Sequence, residues 1–168
     1  QATAKHFPGL GAATSNSDYG PVTIPLDAEM LAREDRIPFR AAVAAGARLV
    51  MLSNAVYPEL DPVLPASLSP RIVRLLRREL GFDGVAVTDD LEVRGLTPFG
   101  NVQQRALLAA RAGVDLLIFG VSESGWEDAL VTLRRAARRG ELSRDELITA
   151  AARVLTLRSE LEDGPIGG

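Results

Sequence analysis

Short, mainly apolar runs alternate along the chain with longer segments whose apolar residues recur at helical spacing. Ala2 to Phe7, Leu49-Val50-Met51-Leu52, Val85-Ala86-Val87-Thr88 and Val114 to Phe119 read as strands, and runs of this kind mark strands buried on both faces of a parallel sheet. Pro38 to Ala47 reads as a helix with Phe39, Ala42, Val43 and Gly46 near one face. Ser69-Pro70 opens the next helix, because serine caps and proline suits the first turn. Ile72, Val73, Leu75, Leu76 and Leu80 fall on its inner face, Arg71, Arg74, Arg77 and Arg78 are expected to point outward, and Gly81 stops it. Val102 to Ala112 is helical up to Gly113. Ser124 with Glu127 and Ser143 with Glu146 have capping-box spacing. They open two further helices, the first with Leu130 and Leu133 inward, the second with Leu147, Ile148, Ala151, Val154 and Leu155 on its packed face. The stretch from Pro8 to Asp35 and the one punctuated by Pro58, Pro62 and Pro65 read as loops, and Glu162 to Gly168 as a frayed tail.

Four strand–helix units and one extra terminal helix define an α/β chain with parallel strands. Four units make either a small open sheet or half of an eight-fold barrel. A complete (β/α)8 barrel takes about 250 residues, and this chain has 168. A composition of 46% hydrophobic and 24% charged residues supports a packed core and excludes general disorder. A net charge of −3 without long like-charge runs gives no footprint for nucleic acid. Cysteine is absent, which removes disulfides and thiol chemistry, and a single histidine leaves no zinc set. No glycine fingerprint follows a strand, so no metal or cofactor is expected. No apolar run approaches the roughly 18 residues of a membrane span. The only lysine, Lys5, adjoins the only histidine, His6.

Ligand groups of parallel α/β proteins gather at the carboxyl ends of strands. Three such ends are polar here: Lys5-His6, Ser53-Asn54 and Asp89-Asp90. The fourth, Phe119-Gly120, offers backbone alone. By position, the aspartate pair fits either a reacting carboxylate or a cap or structural ion pair. Lys5-His6 fits either a ligand contact or an exposed pair.

Three motifs then occur in order: Lys5-His6-Phe7-Pro8-Gly9, then Asp61-Pro62 with Pro65-Ala66-Ser67-Leu68-Ser69-Pro70, then Glu79-Leu80-Gly81-Phe82-Asp83-Gly84 through Thr88-Asp89-Asp90-Leu91. Together they resemble glycoside hydrolase family 3, most closely its β-N-acetylhexosaminidase branch, from Lys5 to about Leu157. The resemblance implies the C-terminal half of a TIM-type barrel, with residues 1–161 as the partial barrel domain. It implies Asp89 as the nucleophile of a retaining double displacement, with Asp90 shaping the site or capping the next turn. Lys5 and His6 would hydrogen-bond hydroxyls of the donor sugar.

The sequence departs from that branch at its acid/base loop. The usual KHFPGHG has Leu10 for its second histidine. An Asp-Ser-His triplet falls on Asn16-Ser17-Asp18, so the dyad's aspartate is Asn16 and its histidine Asp18. Asp18 is the candidate replacement acid/base. Asn-Ser-Asp is equally ordinary turn chemistry, in which side chains cap their own backbone. Asn54 stands where the family often has a histidine, and its amide can still hydrogen-bond a sugar.

The expected function is hydrolysis of β-linked N-acetylglucosamine or a related sugar. The alternative is a carbohydrate-binding or scaffold barrel that has lost its acid/base. A half-barrel would expose the inner face of its strands and an unpaired edge on each side. The chain is therefore expected to be part of a longer protein, inactive alone, and completed by the N-terminal half of the barrel or by a second copy. The arginine-rich, lysine-poor composition points to a GC-rich bacterial genome, and the expected location is the cell envelope or outside the cell, with the cytoplasm as the other setting.

Overall fold

The computed structural model describes residues 1–122 and 124–163. Four strands, β1 (Thr3–Phe7), β2 (Leu49–Leu52), β5 (Val85–Asp90) and β6 (Leu116–Ile118), form one parallel sheet in the order β1-β2-β5-β6. The strand order thus follows the chain order, as in a barrel wall. The helices α2 (Ile37–Ala44), α3 (Pro70–Glu79) and α4 (Val102–Ala112) lie between successive strands of this sheet, and α5 (Gly125–Arg138) and α6 (Arg144–Asp163) follow β6.

One face of the sheet is covered, and the other is covered at Val85 and Val87 (1% and 3% exposed) but open around them. Val50, Leu52, Ala86 and Thr88 are fully buried; the three apolar ones share a core with Ile72 and Leu76 of α3 and Ala106 and Ala109 of α4. Each large apolar side chain buried there contributes about 1.5–3 kcal/mol. Phe7 closes this core at one side, with its ring edge-on to Phe39 of α2 at 5.2 Å. On the opposite face Leu49 and Met51 are half-buried and Leu116 is exposed, which is the exposure expected of a half-barrel.

Capping explains where the helices start and stop. The Ser69 hydroxyl accepts the Ile72 N–H and donates to Asp61, so one side chain both opens α3 and pins the preceding segment. Asn101 and Gln104 form a full capping box at α4, a signal the sequence reading passed over, and Gly113 closes that helix at φ 88°. The α2 helix ends at Ala44 rather than Ala47, because Gly46 turns the backbone at φ 82°. Ser143 accepts the Glu146 N–H at α6 as expected. Ser124 does not cap α5. Its backbone is helical, and the Gly125 N–H goes to the Ser122 hydroxyl instead.

Several expectations are corrected. The proline-punctuated segment is an antiparallel hairpin, β3 (Val56–Tyr57) with β4 (Asp61–Pro65), and not a loop. The long first loop contains α1 (Ala28–Met30), running into a π-helical turn over Leu31–Asp35. Arg77 turns inward rather than outward. It donates to the carbonyls of Phe82 and Gly84 and pairs with Asp115, whose side chain is 0% exposed and also accepts from Arg153 at 3.1 Å. The last helix docks through Arg153, Leu157 and the Arg48–Glu160 pair. Leu147, Ile148 and Leu155 are consequently exposed instead of packed. Glu162 is helical, and the rest of the expected tail beyond Asp163 lies outside the described residues. No helix among the described residues is long and apolar enough to cross a membrane.

Candidate active site

The site lies at the carboxyl ends of the strands, where two irregularities in the sheet meet. Between Ala4 and Phe7, three steps along β1 match only two along β2, from Val50 to Leu52. Between Val87 and Asp90, three steps along β5 match two along β6. A bulge bends its strand and re-aims side chains. The extra residues fall at Lys5-His6 and at Thr88-Asp89, and the two bulges bring the side chains of His6 and Asp89 together at the mouth. His6 Nε2 and Asp89 Oδ2 stand 3.7 Å apart.

Asp89 is oriented by its own strand, since its Oδ1 accepts the Asp90 N–H at 2.9 Å. Its other oxygen points at the mouth and is partly exposed. Asp90 is occupied elsewhere: Oδ1 accepts the N–H groups of Glu92 and Gly120 and ties the end of β5 to the loop after β6. The pair therefore divides into one carboxylate that faces His6 and one that caps the loop after β6.

Asn54 is 1% exposed and uses both ends of its amide inside the protein. Its Nδ2 donates to the Asp90 carbonyl at 2.8 Å, and its Oδ1 accepts from Ser67 at 2.6 Å. It underpins the end of β5 from behind. Tyr57 acts similarly on the other side, donating from a fully buried hydroxyl to the Gly9 carbonyl at 2.8 Å.

Asp18 sits on an exposed turn. Asn16 Oδ1 accepts the Asp18 N–H at 2.8 Å, so the turn chemistry expected of Asn-Ser-Asp is present. The turn is not loose, however. The Asp18 carbonyl accepts the Arg94 N–H at 3.1 Å, and a Cβ on Gly95 would lie 1.9 Å from the Ser17 carbonyl oxygen. This close packing carries Asp18 to the rim of a cavity of roughly 760 Å³ that also holds Asp89, Tyr19 and Arg94. A second opening of roughly 470 Å³ is lined by Lys5, His6, Gly9 and Asp35. In the sequence Asp35 marks only the end of a loop. Burial, and then the neighbouring Glu34, raise its carboxyl above the ordinary range. Among the described residues no cluster of His, Cys, Asp and Glu could hold a metal ion.

His6 is held below its ordinary value of 6.5, chiefly by burial and further by Lys5, against the opposing pull of Asp89 and Asp18. The lowered value leaves it mainly neutral at pH 7. A histidine whose folded pKa lies below the unfolded one stabilises the fold above pH 6.5, and that contribution is lost as pH falls through the lowered value. The melting temperature is expected to fall on acidification below about pH 6.5, and His6→Gln to remove that part of the fall. A His6→Gln curve parallel to the wild type from pH 8 to 5 would show that His6 carries none of it.

Residues 1–157 match the family model described as the glycosyl hydrolase family 3 N terminal domain. The chain belongs to glycoside hydrolase family 3. Its relatives include a protein of Arthroderma benhamiae described as an uncharacterized secreted glycosyl hydrolase, 41% identical over 95% of this chain and 46% of that protein. Another is a beta-hexosaminidase of Stenotrophomonas maltophilia, 37% identical over 70% of this chain and 35% of that one. Among solved structures, a family 3 beta-N-acetylglucosaminidase from Paenibacillus superposes with a TM-score of 0.93 at 36% identity, covering 99% of this chain and 32% of its own. A beta-N-acetylhexosaminidase from Beutenbergia cavernae gives 0.84, also at 36% identity, over 94% of this chain and 46% of its own. The chain thus spans less than half the length of these relatives. Its sheet is of the TIM-barrel type that the family 3 domain adopts.

Proposed function

We propose that the protein is a retaining glycosidase acting on β-linked N-acetylglucosamine or a close relative of it. The observation that carries this reading is the Asp89 carboxylate, held at the mouth of a family 3 sheet by its own backbone, beside a neutral His6 and on one cavity with Asp18. In the first step an Asp89 oxygen bonds to the anomeric carbon while the glycosidic C–O bond breaks. The departing oxygen takes the proton of Asp18. In the second, water attacks the same carbon, gives its proton to Asp18, and the electron pair of the ester bond returns to Asp89. Lys5 and His6 hold hydroxyls of the donor sugar in the opening they line. Asn54 acts from behind as a positioning residue, because its amide is buried and already engaged.

The strands that complete the barrel come, in this reading, from the remainder of a longer protein. The partly open inner face of the sheet calls for further strands, and the relatives' greater length supports this source over a second copy. The secreted relative supports a location outside the cell or on its envelope. Proton NMR of the full-length protein turning over an aryl β-N-acetylglucosaminide tests the mechanism. The β-anomer of the sugar is expected to appear first. Initial release of the α-anomer, or no turnover, would overturn the reading.

A further inference from the structure

We propose that Tyr19, assisted by Arg94, is the platform for the leaving group and selects a second sugar there over a small alcohol. This rests on the assignment of Asp89 and Asp18 given above. Two openings meet at the His6–Asp89 contact of 3.7 Å. One is lined by Lys5, His6 and Asp35, the other by Asp18, Tyr19 and Arg94 with Asp89 at its floor. With the anomeric carbon at Asp89 and the donor ring towards Lys5 and His6, the glycosidic oxygen lies towards Asp18. Whatever is attached beyond that oxygen enters the second opening.

Tyr19 is 80% exposed there. Its ring offers an apolar face to the C–H face of a pyranose and its hydroxyl a polar tip. Arg94 is also exposed on this rim, and its guanidinium carries donors only, suited to hydroxyl and carbonyl oxygens. The two residues come from segments far apart in sequence that are clamped together. The Arg94 N–H donates to the Asp18 carbonyl at 3.1 Å, and Gly95 leaves no room for a Cβ against the carbonyls of Ser17 and Gly20. The backbone that carries the two side chains is therefore anchored before any ligand arrives, which lowers the ordering cost of binding.

Transfer from the glycosyl-enzyme reads this platform without involving the first leaving group. The full-length protein is charged with an aryl β-N-acetylglucosaminide, and transfer to free N-acetylglucosamine or to methanol is compared with hydrolysis. In each transfer the acceptor oxygen bonds to the anomeric carbon, its proton passes to Asp18, and the Asp89 ester bond breaks. Wild type is expected to favour the sugar acceptor. Tyr19→Ala should lower the sugar-transfer to hydrolysis ratio about tenfold, the size of one lost aromatic contact, while Tyr19→Trp preserves it and the methanol ratio moves less than twofold. Arg94→Gln should give a smaller loss in the same direction. Equal changes for both acceptors, no change with Tyr19→Ala, or a wild type that turns over without transferring to the sugar would each overturn the proposal. A wild type that fails to consume the aryl glycoside at all would overturn the glycosidase reading itself, and the platform with it.

Discussion

Replacing Asp89 by asparagine in the full-length protein is expected to lower turnover of an aryl β-N-acetylglucosaminide by on the order of 10⁴-fold or more, the scale seen when a covalent nucleophile is removed. The amide keeps the Oδ1 acceptor that the Asp90 N–H uses, so the fold and the geometry of β5 should survive. What is lost is the negative charge and lone pair that form the bond to the anomeric carbon. Unfolding curves of the variant should therefore overlay those of the wild type. Asp89→Ala makes a sharper version of the same experiment. The vacated space would admit a small anion such as azide from the same side as the missing carboxylate, and the expected product is an α-glycosyl azide. Activity of Asp89→Asn within tenfold of wild type would mean that another group attacks.

The largest expected effect on stability lies at the opposite end of the strands. Asp115 has no exposed side-chain surface, and one carboxylate there satisfies Arg77, Arg153 and the Ala86 N–H together. Burial already pushes the Arg77 guanidinium below its ordinary value, against the pull of Asp115. Asp115→Ala would leave two arginines without their counter-charge and one strand N–H without an acceptor. Removing one partner of such a buried pair costs about 3–5 kcal/mol, to be read as a lower denaturant midpoint at unchanged slope. The network joins α3, β5, α6 and the residue before β6, so the loss should appear as lower stability of the whole sheet rather than local fraying. A change below about 1 kcal/mol would put this cluster in the class of surface pairs.

The sheet is legible because β2, β5 and β6 are dense in valine, leucine and isoleucine and the helices before β5 and β6 end at plain glycine stops. Val102 to Ala112 was read to its observed ends from one apolar stripe and the glycine after it. The start of α3 at Ser69-Pro70 was equally plain, since capping chemistry is local. The packed face of α6 was not. Its apolar stripe runs through Ile148 and Leu155, yet long-range pairs from Arg153 and Glu160 fix which side docks. Those partners, Asp115 and Arg48, are distant in sequence, and periodicity carries no record of them. The hairpin at Val56 to Pro65 was hidden for a related reason. Its prolines break the alternating pattern, while Tyr57 and Asp61 hold it through bonds to Gly9 and Ser69.

Within the site, Lys5, His6 and Asp89 could be named because strand ends and the family motif agreed on them. Their convergence could not be foreseen. It depends on two bulges, at Lys5-His6 and Thr88-Asp89, and neither has a glycine or proline to announce it. The clamp between Gly95 and the Ser17 carbonyl is likewise a contact between distant segments, and it is this clamp that brings Asp18 and Tyr19 beside Asp89.

The central claim is that Asp89 forms a covalent bond to the sugar. The most direct test is to trap that bond with a 5-fluoro N-acetylglucosaminyl fluoride, which forms the glycosyl-enzyme and releases it slowly, and to sequence the labelled peptide of the full-length protein by mass spectrometry. A gain of one fluorosugar mass is expected on the peptide containing Asp89, and none in Asp89→Asn. Label on Asp18, on Asp35 or on any other residue would contradict it, as would steady turnover of the reagent without an adduct.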